Sequence, residues 1–280
     1  MGDIEKIAAS VASLQESFEA HNYICSDQIA TAVFLAYQLR KPILIEGPPG
    51  VGKTELAKTA AEMFALPLIR LQCYEGLDES KAIYEWKYGK QLLYTQVLKE
   101  ALDEVLQGAK GFTESVKRLH EFGDIFFSEE FLEPRPLLKA LKEENGCVLL
   151  IDEIDKADIE FPNDLLQELD RMAFYVYETS ETEKARHRPV VIITSNNEKE
   201  LPDAFLRRCF FHYISFPEPD TLRQIIEVHP PGLKPQLLEA ALTQFFEVRE
   251  TPGLKKKPST SEVLDWLKLL LAEDLTAEDL

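Results

Sequence analysis

The stretch Gly47-Pro48-Pro49-Gly50-Val51-Gly52-Lys53-Thr54 decides the fold of this chain. It has the form Gly-x-x-x-x-Gly-Lys-Thr, follows the apolar run from Pro42 to Glu46, and precedes a segment with apolar residues at helical spacing. In such a strand-to-helix loop, glycines let backbone amides approach phosphate oxygens, and the next helix adds its positive N-terminal end. The pattern predicts a bound nucleoside triphosphate. We expect Lys53 to reach the β and γ phosphates, and Thr54 to place its hydroxyl on Mg²⁺.

A second motif, from Val148 to Glu153, is an apolar strand that ends in two acids. A site that hydrolyses a nucleotide needs such a pair of acids at the carboxyl end of the strand beside its phosphate loop. Asp152 fits as the carboxylate that holds Mg²⁺, directly or through water. Glu153, one residue on, fits as the group that orients and polarises an attacking water. Acids at a strand end are often plain turn residues, but the phosphate loop favours an ATPase site.

Polar residues follow the strand predicted at residues 189–194, where an amide among Ser195-Asn196-Asn197 is placed to lie between Glu153 and the γ-phosphate. Turn chemistry is the alternative role for these residues. A short helix then ends in Arg207 and Arg208 before the last predicted strand. An arginine there can reach the nucleotide of a neighbouring subunit, although a surface ion pair is the alternative.

Composition and charge limit the classes of protein to which this chain can belong. The 280 residues are 45% hydrophobic and 29% charged, which is typical of a globular chain with one large and one smaller domain. Apolar runs are strand-length, and the start is mixed in charge, so we expect a cytoplasmic protein without a membrane span. The formal net charge of −18 argues against a protein that mainly binds nucleic acid. The four cysteines are far apart and are interpreted as small buried apolar residues, and the five scattered histidines are interpreted as ordinary buried or surface residues.

Strands alternate with helices along most of the chain, which predicts an α/β fold with a parallel five-stranded sheet covered by helices. The strands are expected at residues 42–46, 67–73, 147–152, 189–194 and 211–216. A helix is predicted over residues 3–20, and another from an N-cap at Ser26 to Leu39. We expect a nucleotide-binding domain over residues 1–217 and a small all-α lid domain over residues 218–280.

An insertion is predicted between the phosphate loop and the third of these strands, within about residues 84–135. Helical patterns occupy much of it and continue after it; they cover residues 91–106, 113–121 and 136–144. At its start Tyr84, Trp86 and Tyr88 alternate with charged residues, which suits either an exposed arm that grips a partner or a packed hairpin.

The order of these motifs resembles that of AAA+ ATPases, a branch of the P-loop NTPases, and more narrowly of the MoxR branch. Several segments are similar to its CoxD-like members: residues 70–78, 84–86, 131–138, 206–209 and 265–266. The resemblance implies a homo-oligomer, usually a hexameric ring, in which ATP lies between subunits and hydrolysis drives remodelling. It makes Lys53 and Thr54 the Walker A pair, Asp152 and Glu153 the Walker B pair, Asn196 sensor 1, and Arg208 the arginine finger with Arg207 beside it.

The resemblance also implies partners: a protein with a von Willebrand factor A domain, and a protein client in the form of a metalloenzyme whose active site is being matured. One feature departs from the family pattern, because the lid stretch at residues 258–264 has no arginine to reach the γ-phosphate. The run from Lys255 to Lys257, or Arg207 from a neighbour, is a possible substitute. Two other functions stay open, namely a nucleotide-gated binding module with negligible turnover and a DNA-remodelling motor, which the charge disfavours.

Overall fold

The computed structural model describes residues 2–97, 111–121, 127–229 and 234–280. Its strands are β1 (Ile43–Glu46), β2 (Leu68–Gln72), β3 (Tyr84–Trp86), β4 (Leu132–Pro134), β5 (Val148–Asp152), β6 (Ala173–Val176), β7 (Glu181–Lys184), β8 (Val190–Ser195) and β9 (Phe210–Tyr213). Its helices up to β5 are α1 (Gly2–Ile7), α2 (Val11–Ala20), α3 (Asp27–Gln38), α4 (Lys53–Met63), α5 (Glu79–Ile83), α6 (Tyr88–Val97), α7 (Phe112–Glu121) and α8 (Pro136–Lys142). Those after β5 are α9 (Phe161–Arg171), α10 (Asp203–Leu206), α11 (Pro219–Val228), α12 (Pro235–Glu250) and α13 (Thr260–Ala272).

A five-stranded sheet with the order β2-β5-β8-β1-β9 forms the centre of the molecule, and all its pairings are parallel. This confirms the predicted α/β sheet. Four strands lie within a residue of their predicted positions, whereas β9 ends at Tyr213, three residues before the predicted end. The register pairs Gln72 with Asp152 and Glu46 with Ser195. The carboxyl ends of four strands therefore carry polar residues along one edge of the sheet.

Alternate residues of the central strands face two separate apolar cores. In β5, Leu149 and Ile151 belong to one core, and Val148 and Leu150 belong to the other. Helices α8 and α9 cover the first face, and helices α2, α3 and α4 cover the second. Because β5 is buried along its whole length, its sequence is a continuous apolar run rather than an alternating one.

The prediction of one helix over residues 3–20 was wrong. The chain forms α1 and α2, separated where Ser10 adopts an extended conformation and its side chain accepts a hydrogen bond from the Ser13 amide (3.1 Å). Serine competes for backbone amides in this way and favours N-caps over helix interiors. The predicted N-cap at Ser26 is confirmed, since its hydroxyl accepts from the Ile29 amide.

The structure describes two small antiparallel ribbons, which pack on the first of these cores. The first pairs β3 with β4, and Trp86 within it is buried, which is the packed alternative of the two left open by the sequence. The second pairs β6 with β7 and was missed. Of the helical patterns predicted in this region, α6, α7 and α8 are present, whereas residues 98–106 lie outside the described residues.

The C-terminal helices α11, α12 and α13 pack around an apolar core of their own. Leu222, Leu242 and Leu267 are buried within it. A capping box begins α13, because the side chains of Ser259 and Glu262 each accept from the backbone amide of the other. Among the helices of the described residues, none is both long and apolar enough to cross a membrane.

A substitution of Phe18 tests whether α2 packs in the second core, the one that α2, α3 and α4 cover. Its ring is completely buried and lies against Tyr23 with a centroid distance of 5.5 Å. Phe18→Ala should lower the free energy of unfolding by about 3–5 kcal/mol, because it leaves a large cavity. Urea denaturation measures the loss. Phe112→Ala is the matched control, since Phe112 is 85% exposed and its loss should cost almost nothing; equal losses for the two variants would contradict the packing of α2 described here.

Candidate active site

The phosphate loop runs from β1 to α4, as its sequence predicts. Gly52 adopts a left-handed conformation (φ of 91°) immediately before α4, a conformation that glycine adopts without steric cost. Lys53, the first residue of the helix, is buried, and its ammonium group donates to the carbonyl oxygens of Gly47 (2.6 Å) and Pro48 (2.8 Å) and to Asn196 Oδ1 (2.8 Å). The lysine thus ties the loop to the end of β8.

Burial lowers the pKa of Lys53, and the carboxylates of Asp155, Glu153 and Asp152 oppose that shift. A buried ammonium group beside several carboxylates is stable only while its donors are satisfied. The three acceptors found for Lys53 meet this requirement.

Asp152 lies at the end of β5 and is almost completely buried. Its carboxylate accepts from the hydroxyl of Thr194 (2.5 Å) and from the guanidinium of Arg70 (2.5 Å), and it lies 3.2 Å from the hydroxyl of Thr54. Arg70, Thr194 and Thr54 come from β2, β8 and α4. One buried charge therefore joins three other elements at the same edge of the sheet.

Glu153 begins the turn that follows β5 and has a left-handed backbone (φ of 58°). Its Oε1 accepts from Asn196 Nδ2 (3.2 Å), and its Oε2 accepts from Gln72 Nε2 (2.9 Å) and Lys156 Nζ (2.9 Å). Burial alone raises the pKa of Glu153, but these donors outweigh it and hold the pKa below its ordinary value. The side chain is therefore ionised at neutral pH and has a fixed orientation.

The loop after β8 is held by a buried acid, Asp155. Its Oδ2 accepts from the backbone amides of Asn196 (3.1 Å) and Glu198 (3.0 Å). A further hydrogen bond joins the Glu153 amide to the hydroxyl of Thr194 (2.8 Å). Together these contacts fix Asn196 between Lys53 and Glu153.

These groups border a cavity of about 320 Å³, which is in the size range of ligand pockets. Ser261, in the first turn of α13, also lines this cavity. Ser259, which caps that helix, packs so closely on the loop that a Cβ added to Gly50 would lie 2.5 Å from the Ser259 Cβ. Of the lysines considered as substitutes for a lid arginine, Lys256 lies 3.7 Å from Glu262 instead.

The structure brings most of the predicted site residues together. Those that line the cavity are Pro49, Gly50, Gly52, Lys53, Thr54, Asp152, Glu153 and Asn196. Gly47 and Pro48 contribute carbonyl oxygens, and Val51 packs against the apolar core. The two arginines do not join this group: Arg207 is exposed, and Arg208 donates to Asp170 (2.9 Å) in a surface ion pair.

Sequence reasoning missed Arg70, Gln72, Asp155, Thr194 and Ser261 as parts of this site. A signal for the first two was present, because polar side chains at positions 70 and 72 alternate with apolar ones in β2 and share one face of that strand. Their contact with the acids also required the neighbouring position of β5, which the sequence does not state. Nothing in the sequence around Asp155 and Ser261 indicated a role in the site, because both residue types are common in turns and helix caps.

The residues at the end of β5 fit the ligand preference of Mg²⁺. Asp152 and Thr54 place a carboxylate and a hydroxyl side by side, and oxygen ligands of these kinds are those that Mg²⁺ takes in nucleotide sites, together with phosphate and water. Asp152 and Thr54 are therefore the residues that would hold the ion. Arg70 shares the Asp152 carboxylate and neutralises part of its charge.

Comparison with known families agrees with this geometry. The model of the AAA domain (dynein-related subfamily) matches residues 42–209, which is more than half of the chain and includes every group described around the cavity except Ser259 and Ser261. The chain belongs to this AAA family. Its members are P-loop ATPases, so the family membership and the five-stranded parallel sheet agree.

Curated relatives add no functional detail. Two uncharacterized proteins of Staphylococcus epidermidis strains are each 30% identical to this AAA chain over 124 residues, and an uncharacterized protein of Staphylococcus aureus is 32% identical over the same length. The match covers 44% of this chain and 34% of each relative. The aligned part thus spans about a third of the length of these relatives.

A substitution of Gly50 tests the contact between the phosphate loop and α13. It has a φ of 77°, and an added Cβ would meet Ser259, whereas Gly76 has a φ of 82° with nothing within 4 Å of such an atom. Both Gly50→Ala and Gly76→Ala should cost about 1 kcal/mol or more of backbone strain. Gly50→Ala should in addition displace α13 and weaken nucleotide binding. Denaturation curves and titration with a fluorescent ATP analogue measure the two effects; identical behaviour of the two variants would contradict the close contact.

Proposed function

We propose that this AAA protein is a Mg²⁺-dependent ATPase that works as a ring-forming remodelling chaperone. The observation that carries the proposal is the convergence of Lys53, Asp152, Glu153 and Asn196 on one cavity at the phosphate loop. Each type of group that phosphoryl transfer to water needs is present: a cation for the phosphates, oxygen ligands for Mg²⁺, and a carboxylate for the water.

In the proposed reaction, Mg²⁺ would neutralise charge on the phosphates when bound by Thr54 and Asp152. Lys53 binds the β and γ phosphates in exchange for its loop carbonyl acceptors. Glu153 orients the attacking water, and its ionised carboxylate accepts the proton of that water. Asn196 contacts both Lys53 and Glu153, so it is placed to respond to the γ-phosphate and to align the carboxylate.

The proposal of a ring rests on the position of the arginines. Arg207 and Arg208 lie just before β9 and do not border the cavity of their own chain, so an arginine finger has to serve a neighbouring copy. Arg208 would exchange its ion pair with Asp170 for the γ-phosphate of that neighbour. We favour a hexamer, as in the MoxR branch that the sequence resembles.

The finer assignment follows the same resemblance. We propose a CoxD-like role in the cytoplasm, in which the ring acts with a von Willebrand factor A domain protein on a client enzyme during assembly of its metal cofactor. The segments at residues 84–86 and 131–138 that suggested this branch form the β3–β4 ribbon and the start of α8. They lie on the molecule beside the ribbon of β6 and β7 rather than at the phosphate loop.

A second function is a nucleotide-gated binding module with negligible turnover. The surroundings of Glu153 favour this function, because its two carboxylate oxygens already accept hydrogen bonds from Gln72, Asn196 and Lys156. A carboxylate held by three donors is a weaker base for water. Steady-state phosphate release at several protein concentrations separates the two functions, since a ring enzyme gains specific activity as it assembles and a gated module does not.

Glu153→Gln should leave ATP binding intact and lower the rate of phosphate release by about a hundredfold or more, because it removes the group that accepts the proton. Glu200→Gln is the matched control, since Glu200 is exposed and should leave the rate unchanged. A normal rate in Glu153→Gln would show that Glu153 does not orient the water.

Arg208→Ala should lower the rate of phosphate release by about a thousandfold, with little effect on ATP affinity. The decisive measurement is co-expression with the Glu153→Gln variant. If the site is shared, some interfaces of a mixed ring combine an intact Glu153 with an intact Arg208, and phosphate release reappears. Absence of rescue in mixed rings, or full activity of Arg208→Ala alone, would refute the shared site.

A further inference from the structure

A second cavity, of about 1280 Å³, lies between the two small ribbons, and none of its described lining residues also lines the cavity at the phosphate loop. Its walls come from the end of β2, from α5, from β3, from α9 and from the β6–β7 ribbon. We name it the ribbon cleft. Its volume is four times that of the cavity at the phosphate loop, and nothing in the proposed chemistry of ATP hydrolysis uses it.

Aromatic side chains form much of the ribbon cleft. Tyr84 stacks on Phe174 across the two ribbons, with ring centroids 6.1 Å apart and planes inclined by 15°. Tyr175 and Tyr177 meet edge to face at 5.2 Å, and they are 46% and 80% exposed. Trp86 is buried in the floor. Accessible clusters of tyrosine, such as Tyr175 and Tyr177, are typical of surfaces that bind other polypeptides.

The ribbon cleft also carries negative charge that its described residues neutralise only in part. Glu168 Oε2 is buried and has no hydrogen-bond partner among the described residues. Burial raises the pKa of Glu168, and the carboxylate of Asp164 adds to the shift. The pKa of Glu79 is raised by burial and by the nearby Glu168. A cation bound next to carboxylates that repel each other in this way stabilises their ionised forms.

The basic residues of the ribbon cleft leave this charge largely uncompensated. Lys81 forms an ion pair with Asp78 (2.9 Å), and Arg135 forms one with Glu85. Arg171, at the exposed end of α9, offsets part of the charge on Glu168. Glu178 lines the same cleft and accepts from the hydroxyl of Tyr84 (2.7 Å). Among the described lining residues there are more acidic side chains (Glu79, Glu85, Glu168 and Glu178) than basic ones (Lys81, Arg135 and Arg171).

We propose that the ribbon cleft binds an extended segment of a protein partner in which a basic side chain lies next to an apolar or aromatic one. A lysine or arginine of such a segment compensates the negative charge of Glu168 and stacks on the neighbouring tyrosine faces. The apolar neighbour packs against Phe174 and Trp86. The proposal rests on the remodelling function given above and supplies the chemistry by which the client is recognised.

The two tryptophans of the chain provide a reporter. Trp86 lines the ribbon cleft, and Trp266 lies in α13, so Trp266→Phe leaves Trp86 as the sole tryptophan. Full-length protein with this change is titrated with a synthetic peptide of repeating Lys-Phe-Gly units and with a peptide of the same length made of Glu-Phe-Gly units. We expect a saturable change in Trp86 fluorescence and at least tenfold tighter binding of the basic peptide.

Variants in the same background locate the binding. Glu168→Gln should weaken binding of the basic peptide about tenfold, and Tyr175→Ala, at a partly exposed position, should weaken binding of both peptides. Glu227→Gln, at an exposed position on α11, should change nothing. Equal affinity for the two peptides, tighter binding of the acidic one, or unchanged affinity in both Glu168→Gln and Tyr175→Ala would overturn the proposal.

Phosphate release measured on the same preparations separates this proposal from the proposed ATPase function. Selective binding of the basic peptide without ATP hydrolysis supports the ribbon cleft and refutes the ATPase. ATP hydrolysis without selective peptide binding supports the ATPase and refutes the ribbon cleft.

Discussion

Burial of the Asp152 carboxylate at the end of β5 is the constraint on which the site depends. A charge removed from water must be paired and hydrogen-bonded, and Asp152 meets that need with Thr194 and Arg70, while Thr54 lies beside it. These partners come from β8, β2 and α4, so satisfying one carboxylate fixes the relative positions of three strands and the phosphate loop.

Much of the fold could be predicted because β1, β5 and β8 are largely apolar runs bounded by turn residues. β1, β2, β5 and β8 were found within a residue of their positions, and the phosphate loop fixed the order of the first strand and helix. The break at Ser10 was missed, since one hydroxyl cap decides it within an amphipathic pattern that continues on both sides. The β6–β7 ribbon was missed because its four-residue strands are short and one of them, from Glu181 to Lys184, is wholly polar or charged.

The candidate site was predictable where chemistry and chain position coincide, as for Lys53, Thr54, Asp152 and Glu153, which follow strands that a parallel sheet brings together. It was not predictable where contacts depend on which strands are neighbours. Gln72 is the clearest case, since it reaches Glu153 only because β2 lies beside β5. The contact of Ser259 with Gly50 likewise depends on how the C-terminal helices pack on the loop, which no local pattern encodes.

Gln72 also lines the ribbon cleft, so one side chain contacts the proposed catalytic carboxylate and borders the second cavity. The most direct test of the site is the Mg²⁺ dependence of ATP binding, measured by calorimetry with excess Mg²⁺ and with a chelator, for the full chain and for Asp152→Asn. The unchanged chain should bind ATP at least about tenfold more tightly with Mg²⁺, and Asp152→Asn should lose most of that difference while it stays folded. An equal Mg²⁺ dependence in the two proteins would contradict the assignment of Asp152 and the site built on it.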